Sequence, residues 1–281
     1  MKRIFYVATV MILAVCFASS CKKGAELTTT GENPDLPDSI AVKAVSLYST
    51  IHDKLDSLAV ERAAAAPEEK PLEVDATFFL PLSFADESFT ELNKIRLLGM
   101  YFADSNIDYT YFKESSTSKK RDELEAQMAI ELNFDLPQER LAELSKQRGI
   151  EYGRMFRQTE YDLFEGMMET NRADLMVQFT AYLNVEMLHN FREIMRIKYP
   201  KKDVIEFAAK EVVSQKEVIA TTCELYEMLE PYYDKLKEIK PLMTAARKIA
   251  DANDQKKEEE AVTKYMQECW KLRDLVTAMF D

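Results

Sequence analysis

The chain is poor in the residue types from which most active sites are built. It has 2 histidines and 6 glycines among 281 residues. Glycine-rich turns form phosphate loops, dinucleotide-binding loops and the strained turn of a serine nucleophile, and no such motif is present. Histidine is the side chain most often used for acid–base chemistry and for holding metals. Because no catalytic motif is recognisable, we predict that the protein is not an enzyme and that it carries no cofactor.

Positive charge is also scarce. The chain has 37 Lys and Arg against 49 Asp and Glu, which gives a formal net charge of −12. Removal of Lys2 and Arg3 with the signal peptide predicted below changes −12 to −14. A chain this acidic is repelled by the phosphates of nucleic acids and by bare anionic lipid. We therefore expect no nucleic-acid partner.

The N-terminus contains the main apolar run, from Ile4 to Phe17, directly after Lys2 and Arg3. Crossing a bilayer takes about 20 apolar residues, so this run is too short for an ordinary transmembrane helix and is typical of a secretory signal. The small residues that follow it end at Cys21. This arrangement resembles the lipobox of bacterial lipoproteins, which implies that Cys21 is acylated and begins the mature chain.

Two alternatives to lipidation at Cys21 stay open from the sequence. Cys16 is a rival lipidation residue, although the bulky Val15 beside it suits the processing enzyme poorly. An ordinary signal peptidase would cut before Cys21 and leave its thiol unmodified. The polar stretch that follows, rich in threonine and proline, predicts a flexible tether and favours the lipid.

The predicted organisation is a signal peptide at 1–20, a tether at 21–37 and a single domain at 38–281. Lipoproteins of Bacteroidetes that reach the cell surface tend to have acidic residues after the lipidated cysteine. Lys22 and Lys23 stand in that place here. We therefore expect a lipid-anchored protein that faces the periplasm.

The domain itself has the sequence pattern of an all-α protein. Apolar residues recur at steps of three and four, and the first such segment runs from Asp38 to about Ala66 before Pro67. Strand-like alternation is not sustained anywhere. We predict about nine helices, including a continuous one from Asp203 to about Met228, in an irregular bundle or in stacked helical hairpins. The stretch 76–84, ATFFLPLSF, is predicted to be a short extended piece or a loop pressed onto the core.

Three stretches resemble a group of uncharacterised helical lipoproteins of Bacteroidetes. They are NKIRLLGMYFADSNIDYTYF at 93–112, LEAQMAIELNFD at 124–135, and EVIATTCELYEMLEPYYDKLKEIKPLM at 217–243. The likeness touches much of the chain from Phe79 to Asp254, as a pattern without a signature motif. It implies a helical fold and an envelope location, and it implies nothing about chemistry.

The segment from Gly99 to Asp108 has two interpretations. In the first, Gly99 lets another helix approach closely and Asp104 bonds to a neighbouring backbone group or tyrosine, since a glycine within a helix costs about 1 kcal/mol and usually has a packing reason. In the second, Tyr101, Asp104 and Asp108 bind a ligand or a cation. Two carboxylates four residues apart repel each other unless something lies between them.

Glu186 and His189 have the Glu-x-x-His spacing that di-iron bundles use, but such bundles need this motif on two helices. His52, the other histidine, has no glutamate three residues before it, so the paired motif is absent. We predict no metal, with a single-metal site at Glu165, Glu169, Glu186 and His189 as the alternative.

Two further candidate features are a cysteine pair and an aromatic group. An oxidising periplasm permits a disulfide between Cys223 and Cys269, and the alternative is two separate buried thiols. The aromatic residues are either core or the lining of a groove for a partner or small ligand; they are Tyr101, Phe102, Tyr109, Tyr111, Phe112, Tyr232 and Tyr233.

From these features we predict a non-enzymatic, lipid-anchored envelope protein that binds or scaffolds another envelope component. Its expected partners are the membrane, through the N-terminal lipid, and an envelope protein. The alternative is a periplasmic carrier of a small molecule or metal that uses the helix from Tyr101 to Asp108.

Overall fold

The computed structural model describes residues 36–65, 79–86, 90–111, 117–132, 149–198 and 212–278. These residues lie within one compact unit, Pro34–Asp281. The predicted signal peptide, Cys16, Cys21 and nearly all of the predicted tether lie outside the described residues. Tyr109 and Tyr111 belong to a described helix, but their side chains are not described, and Phe112 lies outside.

The protein is all-α: the described residues form helices and contain no strand. Two 3₁₀ helices, Leu82–Asp86 and Asp234–Ile239, connect longer elements. Within the same ranges, no helix combines the length and apolarity needed to cross a membrane. The described α-helices are α1 (Asp38–Ala65), α2 (Glu91–Tyr111), α3 (Ser118–Glu131), α4 (Gly149–Glu169), α5 (Ala173–Lys198), α6 (Lys216–Leu229), α7 (Lys240–Ala250) and α8 (Gln255–Thr277).

Helix α5 is the centre of the described core. It is buried on nearly every side from Ala173 to Asn190, and it packs against α2, α4, α6 and α8. A helix that is apolar around most of its circumference is stable only when it is surrounded in this way. Helix α1 lies against α4 and α6, where the Tyr48 ring stacks on Phe164 with ring centroids 4.0 Å apart.

Gly99 is the point of closest approach between α2 and α5. A Cβ atom at Gly99 would lie 2.5 Å from the carbonyl oxygen of Phe179 and 3.2 Å from the amide nitrogen of Leu183. The Phe102 ring then meets Phe179 edge-on, with ring centroids 5.4 Å apart. The packing interpretation of Gly99 is confirmed, because only a residue without a side chain fits this contact.

Local residues account for several helix ends. Asn171 ends α4 with a positive φ of 59°, a conformation that asparagine tolerates better than most residues. Helix α5 begins two residues later, at Ala173. Pro231 lies in the turn after α6, and Pro241 lies in the first turn of α7, where its missing N–H costs nothing.

Two local predictions need correction. Residues 203–211 of the helix predicted from Asp203 to Met228 lie outside the described residues, and in the described part a turn at Gln215, with φ −98° and ψ 12°, interrupts the helix. Val212 before the turn and Val218 after it are both buried. In the stretch predicted to be extended or a loop, Leu82–Asp86 is a 3₁₀ helix, and the preceding Phe79 and Leu80 are buried.

Cys223 and Cys269 are buried free thiols, so the structure does not contain the disulfide that the sequence permitted. Cys223 Sγ lies 3.8 Å from the carbonyl oxygen of Met243 on α7, and Cys269 is hydrogen-bonded to Tyr265 on its own helix. Burial raises the pKa of Cys223 to about 12. Each thiol therefore fills the core as a small apolar side chain.

Candidate functional site: a buried charge cluster

A cluster of polar and charged side chains lies where α3 and α5 pack against α2, and Arg273 of α8 completes it; its members are buried except Arg273, whose side chain is 19% exposed. Asp104 is at its centre, with an exposed fraction of 0%. Charged groups in a protein interior are retained only where partners compensate them. The members are Asp104, Ser105 and Asp108 from α2, Ser118, Arg121 and Glu125 from α3, Glu186 and Asn190 from α5, and Arg273 from α8.

Both carboxylate oxygens of Asp104 accept hydrogen bonds. The Leu80 amide donates to Oδ2 over 2.9 Å, and Asn190 Nδ2 donates to Oδ1 over 2.8 Å. Burial raises the pKa of Asp104 to about 6, against the positive charge of Arg121 and these two hydrogen bonds. Asp104 therefore ties α2 both to α5 and to the segment Phe79–Asp86.

The segment Phe79–Asp86 has two further contacts with the cluster region. The Tyr101 hydroxyl donates to the carbonyl oxygen of Pro81 over 2.8 Å. The Arg121 guanidinium lies over the Phe79 ring, 4.3 Å from the ring centroid, which is a cation–π distance. Leu80 is itself buried. An aromatic contact, hydrogen bonds and the burial of Phe79 and Leu80 therefore hold the segment, and Leu82 and Phe84 also pack against the core.

Asp108 lies one helical turn beyond Asp104 and pairs with Arg121. Arg121 Nη1 donates to Asp108 Oδ2 over 3.1 Å, and the Ser118 hydroxyl donates to the same oxygen over 2.5 Å. Both side chains of the ion pair are fully buried. The Nε atom of Arg121 has no hydrogen-bond partner. The pair joins α3 to α2 without contact with solvent.

Glu186 forms a two-bond pair with Arg273 of α8. Arg273 Nε and Nη2 donate to its two carboxylate oxygens over 2.9 and 3.2 Å. Burial and the nearby charge of Asp104 raise the pKa of Glu186 to about 8, against the charge and hydrogen bonds of Arg273. Glu186 is therefore a carboxyl group that can hold its proton at neutral pH.

Glu125 is the fourth buried acid of the cluster. The Ser105 hydroxyl donates to Glu125 Oε1 over 2.6 Å. Burial and the neighbouring charge of Asp122 raise the pKa of Glu125 well above its usual value, against this hydrogen bond and the charge of Arg121.

The cluster contains more carboxyl groups than guanidinium groups. Asp104, Asp108, Glu125 and Glu186 are accompanied by Arg121 and Arg273. An uncompensated charge in the interior costs several kcal/mol, whereas protonation removes the charge. The cluster is neutral when Glu125 and Glu186 each hold a proton, and their raised pKa values favour that state. Chemically, the arrangement can take up and release protons inside the fold.

The predicted ligand-binding residues Tyr101, Asp104 and Asp108 lie together on α2, and each has partners within the protein. This agrees with the packing interpretation, in which Asp104 bonds to a backbone group. Their role in ligand binding stays a prediction. Among the aromatic candidates, Tyr101, Phe102 and Tyr233 belong to the core, and Tyr232 is half-buried against it.

The structure does not bring together the four residues of the alternative metal site. Glu165 and Glu169 are exposed on α4, whereas Glu186 is buried and pairs with Arg273. His189 is half-buried on α5. In the part of the chain that the structure describes, no group of three or more His, Cys, Asp or Glu side chains has an arrangement that could hold a metal ion.

The sequence analysis did not predict Arg121, Glu125, Asn190 and Arg273 as members of this site. One signal was present in α3, whose buried residues Ser118, Arg121, Glu125, Met128 and Ala129 recur at steps of three and four. Polar residues that continue the spacing of an apolar stripe indicate a buried polar cluster. Asn190 and Arg273 gave no local signal, because their partners are distant in sequence.

A small cavity lies between α5, α6, α7 and α8, separate from the cluster. Its volume is about 40 Å³, and its lining is mostly apolar, with the polar groups of Asn184, Gln215, Thr222 and Tyr265. One water molecule needs roughly 10–15 Å³, so the cavity has room for about three waters. It is far smaller than the roughly 300–1,000 Å³ of typical ligand pockets.

Comparison of the chain with family models, with curated proteins and with solved structures gives no significant match. Neither these comparisons nor the residues that the structure describes give a positive indication of catalysis. The class of protein that the fold defines is an all-α helical protein, and its function has to be argued from its own residues.

Proposed function

We propose that the protein is a lipid-anchored protein of the bacterial cell envelope, and that its all-α domain binds or scaffolds another envelope component on the periplasmic side. The observation that carries the proposal is the N-terminal sequence, in which Lys2 and Arg3, the apolar run Ile4–Phe17 and three small residues lead to Cys21. A polar stretch with several prolines and threonines then separates this cysteine from α1, as a tether would.

The described residues favour binding at the outer surface of the domain. Asp104 and Asp108, the strongest internal candidates, already accept hydrogen bonds within the protein. The cavity beside α5 has a volume of only about 40 Å³. The excess of acidic residues gives the domain a negative field, which attracts a basic partner surface and repels an acidic one. A protein partner with a basic contact surface is therefore the occupant that we propose.

The anchor is tested by the variant Cys21→Ser. The wild-type chain is expected in the membrane fraction, with its mass reduced by the signal peptide and increased by acyl chains on Cys21. The variant lacks the thiol that carries the lipid, so we expect it to lose both the acyl mass and the membrane attachment. The measurement is fractionation of the envelope followed by mass spectrometry of the N-terminal peptide.

Cys16→Ser is the matched control, and it is expected to behave like the wild type. The anchor is refuted if Cys21→Ser remains processed and membrane-bound. Loss of attachment in Cys16→Ser, with Cys21→Ser unaffected, would move the lipid to Cys16 instead.

A further inference from the structure

We propose that Asp104 and Glu186 form a proton-operated switch in the interface between α2 and α5, in which release of the proton from Glu186 loosens the segment Phe79–Asp86. The two carboxyl groups come from the two helices that meet at Gly99, and both have an exposed fraction of 0%. Their charges act on each other, because the charge of Asp104 is the second cause of the raised pKa of Glu186.

The charge balance around the pair is the first consideration. The charged groups that face it are Arg121 and Glu125 from α3, Arg273 from α8 and, on α2 itself, Asp108. When Glu125 and Glu186 hold their protons, the remaining carboxylates are Asp104 and Asp108. Their two negative charges balance the two positive charges of Arg121 and Arg273. Loss of the Glu186 proton leaves one negative charge in excess in the interior, and a buried charge without compensation is strongly unfavourable.

The second step concerns the ionisation range of the pair. Burial raises the pKa of Asp104 to about 6 and the pKa of Glu186 to about 8. Two carboxyl groups that interact lose their protons in two steps rather than together. Between the steps, one carboxylate and one neutral carboxyl share the interface. The pair therefore changes its charge on either side of neutral pH.

A third, independent observation is an unfilled acceptor beside the pair. Asn190 is fully buried and lies one helical turn after Glu186, and its Oδ1 atom has no hydrogen-bond partner. Its amide nitrogen is committed to Asp104. A buried oxygen without a donor is rare in folded proteins, and water or a proton-bearing group can satisfy it. The interface thus leaves an acceptor open on Asn190, whose amide nitrogen already bonds to Asp104.

The fourth step identifies what moves. The segment Phe79–Asp86 is short, and the Leu80 amide reaches the cluster directly through Asp104. Opening of this segment would let water reach Asp104. The water would solvate the excess negative charge that the cluster carries after Glu186 has lost its proton. Separation of α2 from α5 along their length would instead expose the core contacts of both helices. The segment is therefore the element that responds.

Hydrogen exchange of the full chain, purified in mild detergent and followed by mass spectrometry, tests the switch. The readout is the protection factor of the peptide that covers 79–86. Because a protection factor is the ratio of the intrinsic exchange rate to the observed rate at the same pH, the direct effect of pH on exchange chemistry cancels. Between pH 7 and pH 9 the wild-type protection factor should fall about tenfold, since a group that titrates near 8 is about ten-to-one deprotonated at pH 9. Glu186→Gln should show no such fall.

Glu227→Gln is the matched control. Glu227 also accepts two hydrogen bonds from one arginine, Arg247, over 2.8 and 2.7 Å, but its side chain is 54% exposed. This variant should retain the tenfold fall. If Glu186→Gln does not fold, Asp104→Asn is used instead. This variant lacks the negative charge of Asp104, so the cluster stays neutral when Glu186 loses its proton. The protection factor of 79–86 should then not fall between pH 7 and pH 9. A wild-type protection factor that does not change with pH, or an equal fall in Glu186→Gln, overturns the proposal.

Discussion

Replacement of Gly99 by alanine should lower the free energy of unfolding by about 2–3 kcal/mol, the cost of forcing extra volume into a packed interface. The new Cβ atom would lie 2.5 Å from the Phe179 carbonyl oxygen, and this atom belongs to the backbone of α5 and cannot rotate away. Alanine favours a helix over glycine by about 1 kcal/mol, which offsets only part of the loss. Urea denaturation of the full chain, followed by circular dichroism, measures the change.

Gly166→Ala provides the opposite expectation in the same protein. Gly166 lies within α4, and a Cβ atom there would meet nothing within 4 Å. Only the helix preference then acts, so the free energy of unfolding should rise by about 0.5–1 kcal/mol. Equal effects at the two glycines would contradict the close contact between α2 and α5.

Replacement of Arg121 by methionine should lower the free energy of unfolding by about 3–5 kcal/mol, the range measured when one partner of a buried ion pair is removed. Methionine fills much of the space that the arginine side chain occupies. The loss of stability is therefore due to the removal of the positive charge more than to a change in side-chain volume. Arg121 is fully buried, and the variant leaves Asp108 with the Ser118 hydroxyl but without its positive partner. Chemical denaturation at pH 7 provides the measurement.

Arg247→Met is the control for this second prediction. Arg247 pairs with Glu227 through two hydrogen bonds, but the side chains of the pair are 26% and 54% exposed. Exposed pairs of this kind contribute up to about 1 kcal/mol, so the loss should not exceed that amount. In addition, Asp108→Asn in the Arg121→Met background should restore part of the stability, because the buried charge is then gone. A loss at Arg121 no larger than that at Arg247 would refute the buried ion pair.

The helices of this protein were accessible to sequence analysis because their signals are local. Asn171 ends α4 through a backbone conformation that asparagine tolerates, and Pro241 lies in the first turn of α7. The break at Gln215 had no such signal. No glycine or proline lies near it, so no local residue marks the turn in the sequence.

The candidate site was accessible only on α2. The positions of Gly99, Asp104 and Asp108 within one helix indicated a packing contact and a polar site. The partners of these residues lie up to 86 residues away, as Asn190 does from Asp104, and no local pattern joins such positions. Arg121 and Glu125 share one face of α3 with Met128 and Ala129, but charged residues are rarely buried, so this spacing alone did not identify them.

The buried carboxyl groups Asp104 and Glu186 should bind protons more tightly in the folded protein than they do in the unfolded chain. The direct measurement is the free energy of unfolding from pH 5 to pH 8.5, for the wild type and for the double variant Asp104→Asn, Glu186→Gln. The double variant removes the pair and leaves both histidines in place, so the difference between the two profiles isolates the pair.

The sign follows from the raised pKa values. A carboxyl group whose pKa is raised by folding stabilises the fold most at a pH below its pKa in the unfolded chain. This contribution is lost as the pH rises through its pKa in the folded protein. For Glu186 the loss spans pH 4.5 to about 8, and for Asp104 it spans 3.8 to about 6. Relative to the double variant, the free energy of unfolding of the wild type should therefore fall by about 1.4 kcal/mol per pH unit for each carboxyl group that is protonated in the folded protein and ionised in the unfolded chain. Parallel profiles, or a wild type that gains stability relative to the double variant as the pH rises, would contradict the account.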